Sequence, residues 1–380
     1  MLTTNSSLMD GINRHILTIA PQINNQEGCE VAVCTVFSRA ELNVELESKG
    51  VKTYSLNATN GHDLTVFLHF YKVMKAFRPD IVHSHVMALF ERIVLATCFR
   101  GLKYINTVHG IRDKVPQNTP YMRLETCLNK MFNIKYNAHC VVSNGVRQHL
   151  FAAKNEDNES NVHTVYNPLN FEKGIPKQYK LHKLLGVKKD TPLVGTACRF
   201  AAVKNPEVFT RVLCKVLQGN TLVHAAVMGD GDEPLKYRLR KIVAESNVES
   251  RFHWLGYRQD APQLVQDLNC FVMTSISEGM PTSILESMAS KTPFAMMEGE
   301  GGLKDIAEIN QQEGPIGIIC PKDDVEGMAR EIDNLLANQS TQVALAEKAF
   351  AVGKKYFDVE SVCCKLYTIY KSVCAQSFYI

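Results

Sequence analysis

Segments typical of short buried strands alternate with segments of helical periodicity along most of the chain. Residues 29–37, 79–86 and 103–110 have the strand pattern, and residues 64–78 and 124–136 have apolar residues at helical spacing. Such alternation favours a parallel sheet, because a connection between parallel strands needs a crossover that is usually a helix. The sequence therefore predicts an α/β fold built on parallel sheets.

The alternation stops at a lysine-rich stretch, residues 173–189, and starts again after it. The stretch contains six lysines and no acidic residue. We interpret it as a solvated inter-domain segment, with a membrane-surface patch as the alternative. A chain of 380 residues is also long for a single core. We predict two doubly wound Rossmann-like domains, 1–172 and 173–357, that face each other across a cleft, and a final helix, 358–380, that packs back on the first domain.

Composition narrows the class of protein. With 45% hydrophobic and 21% charged residues, the chain is typical of a globular protein, and a net charge of +3 does not indicate nucleic-acid binding. The 12 cysteines are scattered without a C-x-x-C pair, which favours reduced thiols over a disulfide framework. The sequence has neither an apolar run long enough for a membrane span nor the pattern of a signal peptide at its start. These features predict a cytoplasmic protein.

Two carboxylates bracket a turn within residues 271–290. Glu278 and Glu286 are separated by Gly-Met-Pro-Thr-Ser-Ile-Leu, between a predicted strand and a predicted helix. Loops at the carboxyl ends of parallel strands line ligand crevices, and a helix amino terminus favours an anion. The turn could therefore hold a polyhydroxylated, phosphorylated ligand. The alternative is structural, because Ser283 and Glu286 have the spacing of a capping box at the start of the helix.

Short motifs follow one another in a fixed order over both halves of the chain, on either side of the two glutamates. Gly301 and Gly302 follow the two glutamates, and Arg199 and Lys204 precede them. The quoted stretches are PDIVHSH, NTVHG, VVS, VYNP, CRFAAVKNPE, VMGDGDE, WLGYRQD, EGMPTSILE, SMASKTPFAM and GEGGLKDIAE. In this order they resemble the retaining GT-B glycosyltransferases of glycosyltransferase family 4. The resemblance implies an enzyme of two Rossmann-like domains that transfers a sugar from a nucleotide sugar.

The chain departs from the family pattern in its first loop. The usual Gly-Gly-x-Glu is Asp10-Gly11-Ile12-Asn13, and of this loop we carry over only Gly11 as a donor-binding residue. The strand before the loop, MLTT, is very short, which suggests that the true start lies upstream. Asn269 stands where the family usually has Asp before the last strand of the glutamate motif.

The resemblance assigns roles to four charged residues. Arg199 and Lys204 would neutralise the diphosphate leaving group of the donor as the glycosidic bond breaks. Glu278 would accept hydrogen bonds from the donor sugar, and Glu286 from the ribose diol, since a carboxylate offers two acceptor oxygens. The turn residues expected to contact the donor are Gly279, Met280, Pro281 and Thr282.

Histidines and a second acidic pair have competing interpretations. The family places a histidine near the donor sugar at the position of His109, although a structural strand-end histidine is the alternative. We interpret His83 and His85 as structural, since no third metal ligand is evident. Asp230 and Asp232 form a D-x-D motif, which we interpret as part of a turn and not as a metal site. The expected enzyme uses no metal and no cofactor.

The resemblance also implies a mechanism and a setting. We expect front-face attack by an acceptor hydroxyl, with retention of configuration and with the departing phosphate oxygen taking the proton. A UDP-sugar is the favoured donor, and the expected acceptor is a glycan or a lipid-diphosphate-linked sugar in O-antigen, capsule or exopolysaccharide synthesis. The enzyme would then work in the cytoplasm, at the inner face of the plasma membrane. The alternatives are a GT-B nucleotide-sugar 2-epimerase and a non-catalytic nucleotide-sugar-binding protein.

Overall fold

The computed structural model describes residues 1–3, 11–61, 63–85, 88–99, 101–111, 131–132, 136–154, 161–172 and 177–375. It divides into two units. The first comprises Met1–Pro168 together with Val359–Ile380, and the second is Leu169–Asp358. Each unit has its own parallel sheet, and each is described separately below.

The first unit contains a seven-stranded sheet in the order β3-β2-β1-β4-β5-β6-β7. All neighbouring strands are parallel, and the order reverses between β1 and β4. The strands are β1 (Leu2–Thr3), β2 (Ala32–Phe37), β3 (Lys52–Ala58), β4 (Ile81–Ser84), β5 (Lys103–Val108), β6 (Ala138–Val141) and β7 (Val162–Thr164). The helices that follow along the chain are α1 (Gly11–Asn24), α2 (Glu41–Ser48), α3 (Thr65–Phe77), α4 (Leu89–Cys98) and α5 (Asn144–Lys154).

The second unit repeats this plan with a six-stranded sheet in the order β10-β9-β8-β11-β13-β15, again all parallel. These strands are β8 (Leu193–Ala197), β9 (His224–Met228), β10 (Phe252–Trp254), β11 (Cys270–Met273), β13 (Phe294–Met297) and β15 (Ile318–Cys320). A separate short parallel pair is formed by β12 (Ser277–Glu278) and β14 (Glu300–Gly301). Strands such as β11 are continuously apolar and buried, as expected for a sheet covered on both faces.

Helices surround the second sheet. They are α6 (Lys180–Leu185), α7 (Pro206–Gly219), α8 (Glu233–Glu245), α9 (Ala261–Val265), α10 (Thr282–Ala289), α11 (Gly302–Glu313), α12 (Val325–Leu336) and α13 (Gln339–Phe357). The core of this unit includes Phe209 and Leu213 of α7 and Met328 and Ile332 of α12, all nearly inaccessible to solvent. Both α7 and α8 have a proline in the first turn, where its missing N–H costs nothing.

The last helix, α14 (Val359–Ala375), belongs to the first unit. Val362 and Leu366 of α14 are buried in one hydrophobic cluster with Ile16 and Ile19 of α1. Tyr370, one turn further along, places its hydroxyl 2.5 Å from Nδ1 of His83. The amino-terminal sheet therefore depends on the carboxyl-terminal helix for part of its core.

The predicted α/β architecture is confirmed, and the strand patterns correspond to β2, β4 and β5 and the first helical pattern to α3. Most of the helix predicted at residues 124–136 lies outside the described residues. Neither α2 nor β3 was predicted from the sequence. Within the described part of the chain, no helix is both long enough and apolar enough to cross a bilayer.

Candidate active site

The order of the second sheet reverses between β8 and β11, which are direct neighbours with Cys270 opposite Val194. In open parallel sheets, ligands bind outside the carboxyl ends of the strands at such a reversal. Arg199 lies two residues after β8, and Glu278 lies five residues after β11. The topology therefore brings two separate sequence motifs to the same edge of one sheet.

Lys204 and Glu278 form an ion pair at this edge. Nζ of Lys204 lies 2.5 Å from Oε1 of Glu278, and the side chains are only 24% and 11% exposed. The two loops are also joined through their backbones, since the amide of Ile276 donates to the carbonyl of Val203 at 2.8 Å. The hydroxyl of Thr274 donates to the carbonyl of Asn205 at 3.1 Å. Solvent screening is weak at such a pair, so the attraction between its charges is stronger than in an exposed pair.

Arg199 has a different environment from Lys204. Its side chain is exposed, and among the described residues no carboxylate pairs with it. The backbone beside it is fixed, because the amide of Phe200 donates to the carbonyl of Asp230 at 2.8 Å. The site thus presents one cation already bound to a carboxylate and one that is available to an anionic ligand.

The glutamate turn and the Gly-Gly turn pack directly on each other. β12 pairs with β14, so that Glu278 lies opposite Gly301. A Cβ atom on Gly302 would lie 2.7 Å from the carbonyl oxygen of Gly279 and 2.8 Å from Cα of Met280. Gly301 has a φ of 69°, which strains any residue with a side chain. Both glycines therefore fix the position of the turn that carries Glu278.

The capping-box interpretation of Glu286 is wrong. Helix α10 begins at Thr282 with Pro281 at the cap position, and no side chain caps it. Ser283 is therefore inside the first turn and cannot be the cap residue. Proline at the cap position, with its φ of −75°, sets the entry of the chain into the helix two residues earlier than a cap at Ser283 would. Glu286 lies half-buried one turn further on.

Replacement of Glu286 separates a ligand role from a structural one. We expect Glu286→Ala to weaken binding of the nucleotide part of the donor by about tenfold, which corresponds to the loss of a hydrogen bond to a charged group. Ser283→Ala, its matched control on the same helix, should leave the affinity within about twofold. Titration calorimetry with UDP and UDP-sugars would measure both. Equal affinities of Glu286→Ala and wild type would show that Glu286 does not bind the ribose.

Both carboxylates of the D-x-D motif form structural contacts. The carboxylate of Asp232 caps α8 by accepting from the amide of Leu235 at 2.9 Å. Asp230 lies 3.0 Å from Nζ of Lys236, and the hydrogen bond to this lysine lowers the pKa of Asp230. Within the described ranges, no group of three or more His, Cys, Asp or Glu residues is arranged to hold a metal ion.

In the first unit, the residues between β1 and α1, Asp10 among them, lie outside the described residues. Gly11 is the first residue of α1 and is exposed, and a Cβ atom there would meet nothing within 4 Å. Asn13, at the position of the family's glutamate, is buried and accepts a hydrogen bond of 2.8 Å from the hydroxyl of Thr3. This contact ties α1 to β1.

His109 follows β5 and belongs to a cluster of histidine rings. Its Nε2 atom lies 2.8 Å from Nδ1 of His85, which follows the neighbouring strand β4. The ring of His15 on α1 meets the ring of His109 edge-on, with centroids 5.2 Å apart. Burial, followed by repulsion from His83, lowers the pKa of His109 to about 3. His109 is therefore neutral at physiological pH.

Neither the place of His15 in this cluster nor the proximity of His83 and His85 to His109 was predicted from the sequence. His83 has structural contacts, since Thr107 and Tyr370 occupy its two ring nitrogens at 2.7 and 2.5 Å. Two sequence motifs could have indicated this proximity. HSH and VHG end adjacent parallel strands, and the carboxyl ends of such strands meet at one edge.

Comparisons with known proteins agree with this architecture. Residues 177–352 match the family profile described as Glycosyl transferases group 1, and residues 9–173 match Glycosyltransferase Family 4. A solved glycosyltransferase from Rickettsia africae superposes with a TM-score of 0.80 at 20% identity, covering 99% of this chain and 98% of that one. HepE from Anabaena, solved with UDP and glucose, superposes with a TM-score of 0.76 at 17% identity and covers 98% of both chains.

Curated relatives are similar over smaller parts. An Escherichia coli enzyme, UDP-Gal:alpha-D-GlcNAc-diphosphoundecaprenol alpha-1,3-galactosyltransferase, is 25% identical over 64% of this chain and 64% of its own. The lipopolysaccharide core biosynthesis glycosyltransferase LpsE of Rhizobium meliloti is 28% identical over 47% of this chain and 49% of its own. The chain thus matches less than two thirds of the length of these two relatives.

The two doubly wound units, with a cation–carboxylate pair where the second sheet reverses, have the architecture of GT-B glycosyltransferases. The two family profiles together match most of the sequence. The chain belongs to the GT-B glycosyltransferases of the family 4 type.

Proposed function

We propose that the protein transfers a sugar from a UDP-sugar to a hydroxyl group of a lipid-diphosphate-linked or glycan acceptor in the synthesis of a surface polysaccharide, with retention of configuration. The observation that carries the proposal is the Lys204–Glu278 pair beside the exposed Arg199 at the reversal of the second sheet. The E. coli relative is named for a UDP-Gal donor and a diphosphoundecaprenol-linked acceptor, and HepE was solved with UDP and glucose. These names support the choice of donor and acceptor.

The diphosphate and the sugar of a nucleotide sugar both find partners at this edge. The diphosphate carries the negative charge that Arg199 and Lys204 can bind, and the sugar carries hydroxyls that can donate to Glu278. A cation that is fixed before the reaction stabilises the departing UDP without reorganisation as charge grows on its phosphate oxygen. Glu278 serves two purposes in this scheme, since it also holds Lys204 in place through the ion pair.

The reaction needs no base from the protein. The acceptor oxygen forms a bond to the anomeric carbon on the face from which UDP departs, and the bond from that carbon to the phosphate oxygen breaks. The proton of the acceptor hydroxyl goes to the same phosphate oxygen, so atoms and charge balance. A glycosidase, by contrast, needs two carboxyl groups that flank the bond. Work at the inner face of a membrane, where a lipid-linked acceptor would be presented, forms part of the proposal.

The proposal is tested by a donor screen followed by a transfer assay. Thermal shift with UDP-, GDP- and ADP-sugars should identify a UDP-sugar that stabilises the protein, because a ligand that binds only the folded state raises its melting temperature. The radiolabelled sugar should then pass to an undecaprenyl-diphosphate glycan in detergent. Conversion of the UDP-sugar to its 2-epimer without an acceptor would favour the epimerase. Binding without turnover under every acceptor tried would favour a non-catalytic role.

We expect transfer to be independent of metal ions, because the proposed diphosphate partners are side-chain cations and both carboxylates of the D-x-D motif have structural contacts. Activity with excess EDTA should stay within about twofold of the untreated enzyme, since no Coulomb partner of the diphosphate is removed. The measurement is the initial rate after dialysis against EDTA, with and without added Mg²⁺ or Mn²⁺. Loss of activity that returns on titration with Mn²⁺ would contradict the prediction.

A further inference from the structure

The hydrogen bond between His85 and His109 determines where each ring carries its proton. Burial is the main cause that lowers the pKa of both rings, so both are neutral and each has one N–H. Only one of the two atoms that meet at 2.8 Å, Nδ1 of His85 and Nε2 of His109, can carry the shared proton. The direction of this bond therefore fixes the tautomer of His109.

Burial of His85 favours one direction. Among the described residues, Nε2 of His85 is buried without a hydrogen-bond partner. If His109 were the donor, the proton of His85 would sit on this nitrogen, as a buried N–H with no acceptor. If His85 donates from Nδ1, the same nitrogen carries only a lone pair. Buried N–H groups are left unpaired more rarely than acceptors are, so the second arrangement is favoured.

The ring of His85 is held in place by its neighbours. His83 stacks on it with ring centroids 4.4 Å apart and an angle of 27° between the planes. His83 is itself fixed by Thr107 on β5 and by Tyr370 on α14. His85 is 4% exposed, so the hydrogen bond to His109 is shielded from competing water. The orientation of His109 is thus set by the packing of β4, β5 and α14.

We propose that His85 is a positioning residue that fixes His109 as the tautomer protonated on Nδ1, so that His109 offers substrate a hydrogen-bond donor and not a base. The inference rests on the proposed function, to which it adds the proposal that His109, placed near the donor sugar by the family resemblance, touches substrate. It agrees with a mechanism in which the phosphate oxygen takes the proton, because such a mechanism needs no protein base. His85 itself does not touch the reacting atoms.

The test combines two variants of His85 with a direct readout of the tautomer. In His85→Asn the side-chain amide can occupy the place of Nδ1 and still donate to His109, whereas His85→Leu has similar bulk and no donor. Imidazole nitrogen shifts of full-length protein labelled with ¹⁵N-histidine report the tautomer, and His109→Gln assigns the signal. We expect Nδ1 protonation of His109 in wild type and in His85→Asn, and its loss in His85→Leu.

Kinetics give the second readout. For metal-bound histidines, loss of the partner that orients the imidazole costs roughly 10- to 100-fold, and we take the same order of effect for His109. We expect such a fall in kcat for His85→Leu with KM within about twofold, and recovery of most of kcat in His85→Asn. A wild-type His109 protonated on Nε2 would overturn the inference, as would an unchanged tautomer and kcat in His85→Leu. If His85→Leu does not fold, the imidazole nitrogen shifts of wild type and of His85→Asn still test the tautomer of His109. If no sugar transfer is found, the proposed function fails while the tautomer is still measured.

Discussion

Arg199→Ala and Lys204→Ala are each expected to lower kcat by about 10²- to 10³-fold while KM for the donor rises much less. Negative charge on the diphosphate grows as the sugar leaves, so a fixed cation binds the transition state more strongly than the ground state. Loss of one such group in an active site costs roughly 3 to 4 kcal/mol of transition-state stabilisation. An exposed ion pair on the surface rarely contributes more than about 1 kcal/mol.

The measurement is the steady-state kinetics of purified variants with saturating acceptor. Lys241→Ala is the matched control, because Lys241 forms an exposed ion pair with Glu245 on α8, away from the motif residues in sequence. Lys204→Arg should recover only part of kcat, since a planar guanidinium does not replace a compact ammonium at 2.5 Å from Glu278. Near-normal kcat in both alanine variants would exclude the two cations from the mechanism and leave the family resemblance as evidence of fold alone.

The second large effect is a loss of stability in acid that originates in the histidine cluster. Burial lowers the pKa values of His15, His83, His85 and His109 from the usual 6.5. The unfolded chain therefore binds protons that the folded unit does not, and stability falls as pH drops below 6.5. For His109, whose pKa is about 3, the loss continues from pH 6.5 down to 3. It amounts to about 1.4 kcal/mol per pH unit.

One buried carboxyl group opposes this trend over part of the range. Glu91 is fully buried and accepts hydrogen bonds from Tyr104, from Ser84 and from the amide of Ala88. Burial raises its pKa from 4.5 to about 7. The folded state therefore takes up a proton at Glu91 between pH 7 and 4.5, where the unfolded chain does not, and this stabilises the fold as pH falls. The steepest net loss is accordingly expected below pH 4.5, where Glu91 no longer opposes the histidines.

Urea unfolding at a series of pH values, followed by circular dichroism, would measure this profile. His109→Gln should flatten the slope of unfolding free energy between pH 6.5 and 3, because the variant has one titrating group fewer. Glu91→Gln should instead steepen the loss between pH 7 and 4.5. An unfolding free energy of the wild-type protein that stays constant between pH 6.5 and 4 would contradict the burial of neutral histidines in the cluster.

The fold could be predicted from the sequence because its strands carry strong local patterns. β11 and β13 are apolar at every position, and turn formers follow them, so their type and position are evident without neighbours. β3 lacks that pattern. It is an edge strand, Lys52–Ala58, with most residues exposed or half-buried. α2 has few buried residues, Leu42, Asn43 and Leu46, and so gives only a weak helical signal.

The site residues were predictable as separate motifs, but their contacts were not. The sequence separation of 74 between Lys204 and Glu278 gives no indication that the two side chains form an ion pair. That pairing follows from the strand order, which places β8 beside β11. The capping-box error has a similar origin, because the spacing of Ser283 and Glu286 is correct for the motif while the helix starts after Pro281, two residues earlier than the motif requires. Spacing along the chain gives candidate partners, and packing selects among them.

The return of α14 to the first unit affects the order in which the protein can fold during synthesis. Val362 and Leu366 complete the cluster around Ile16 and Ile19, yet they emerge from the ribosome only after the whole of Leu169–Asp358. Domains made of continuous chain can fold as they emerge. The second unit is continuous and can therefore complete its core first, while the first unit must wait with part of its apolar surface uncovered. A chain that ends before residue 359 would thus contain the whole of Leu169–Asp358 while part of the apolar surface of the first unit stays uncovered, and we expect it to aggregate more readily than the full-length protein.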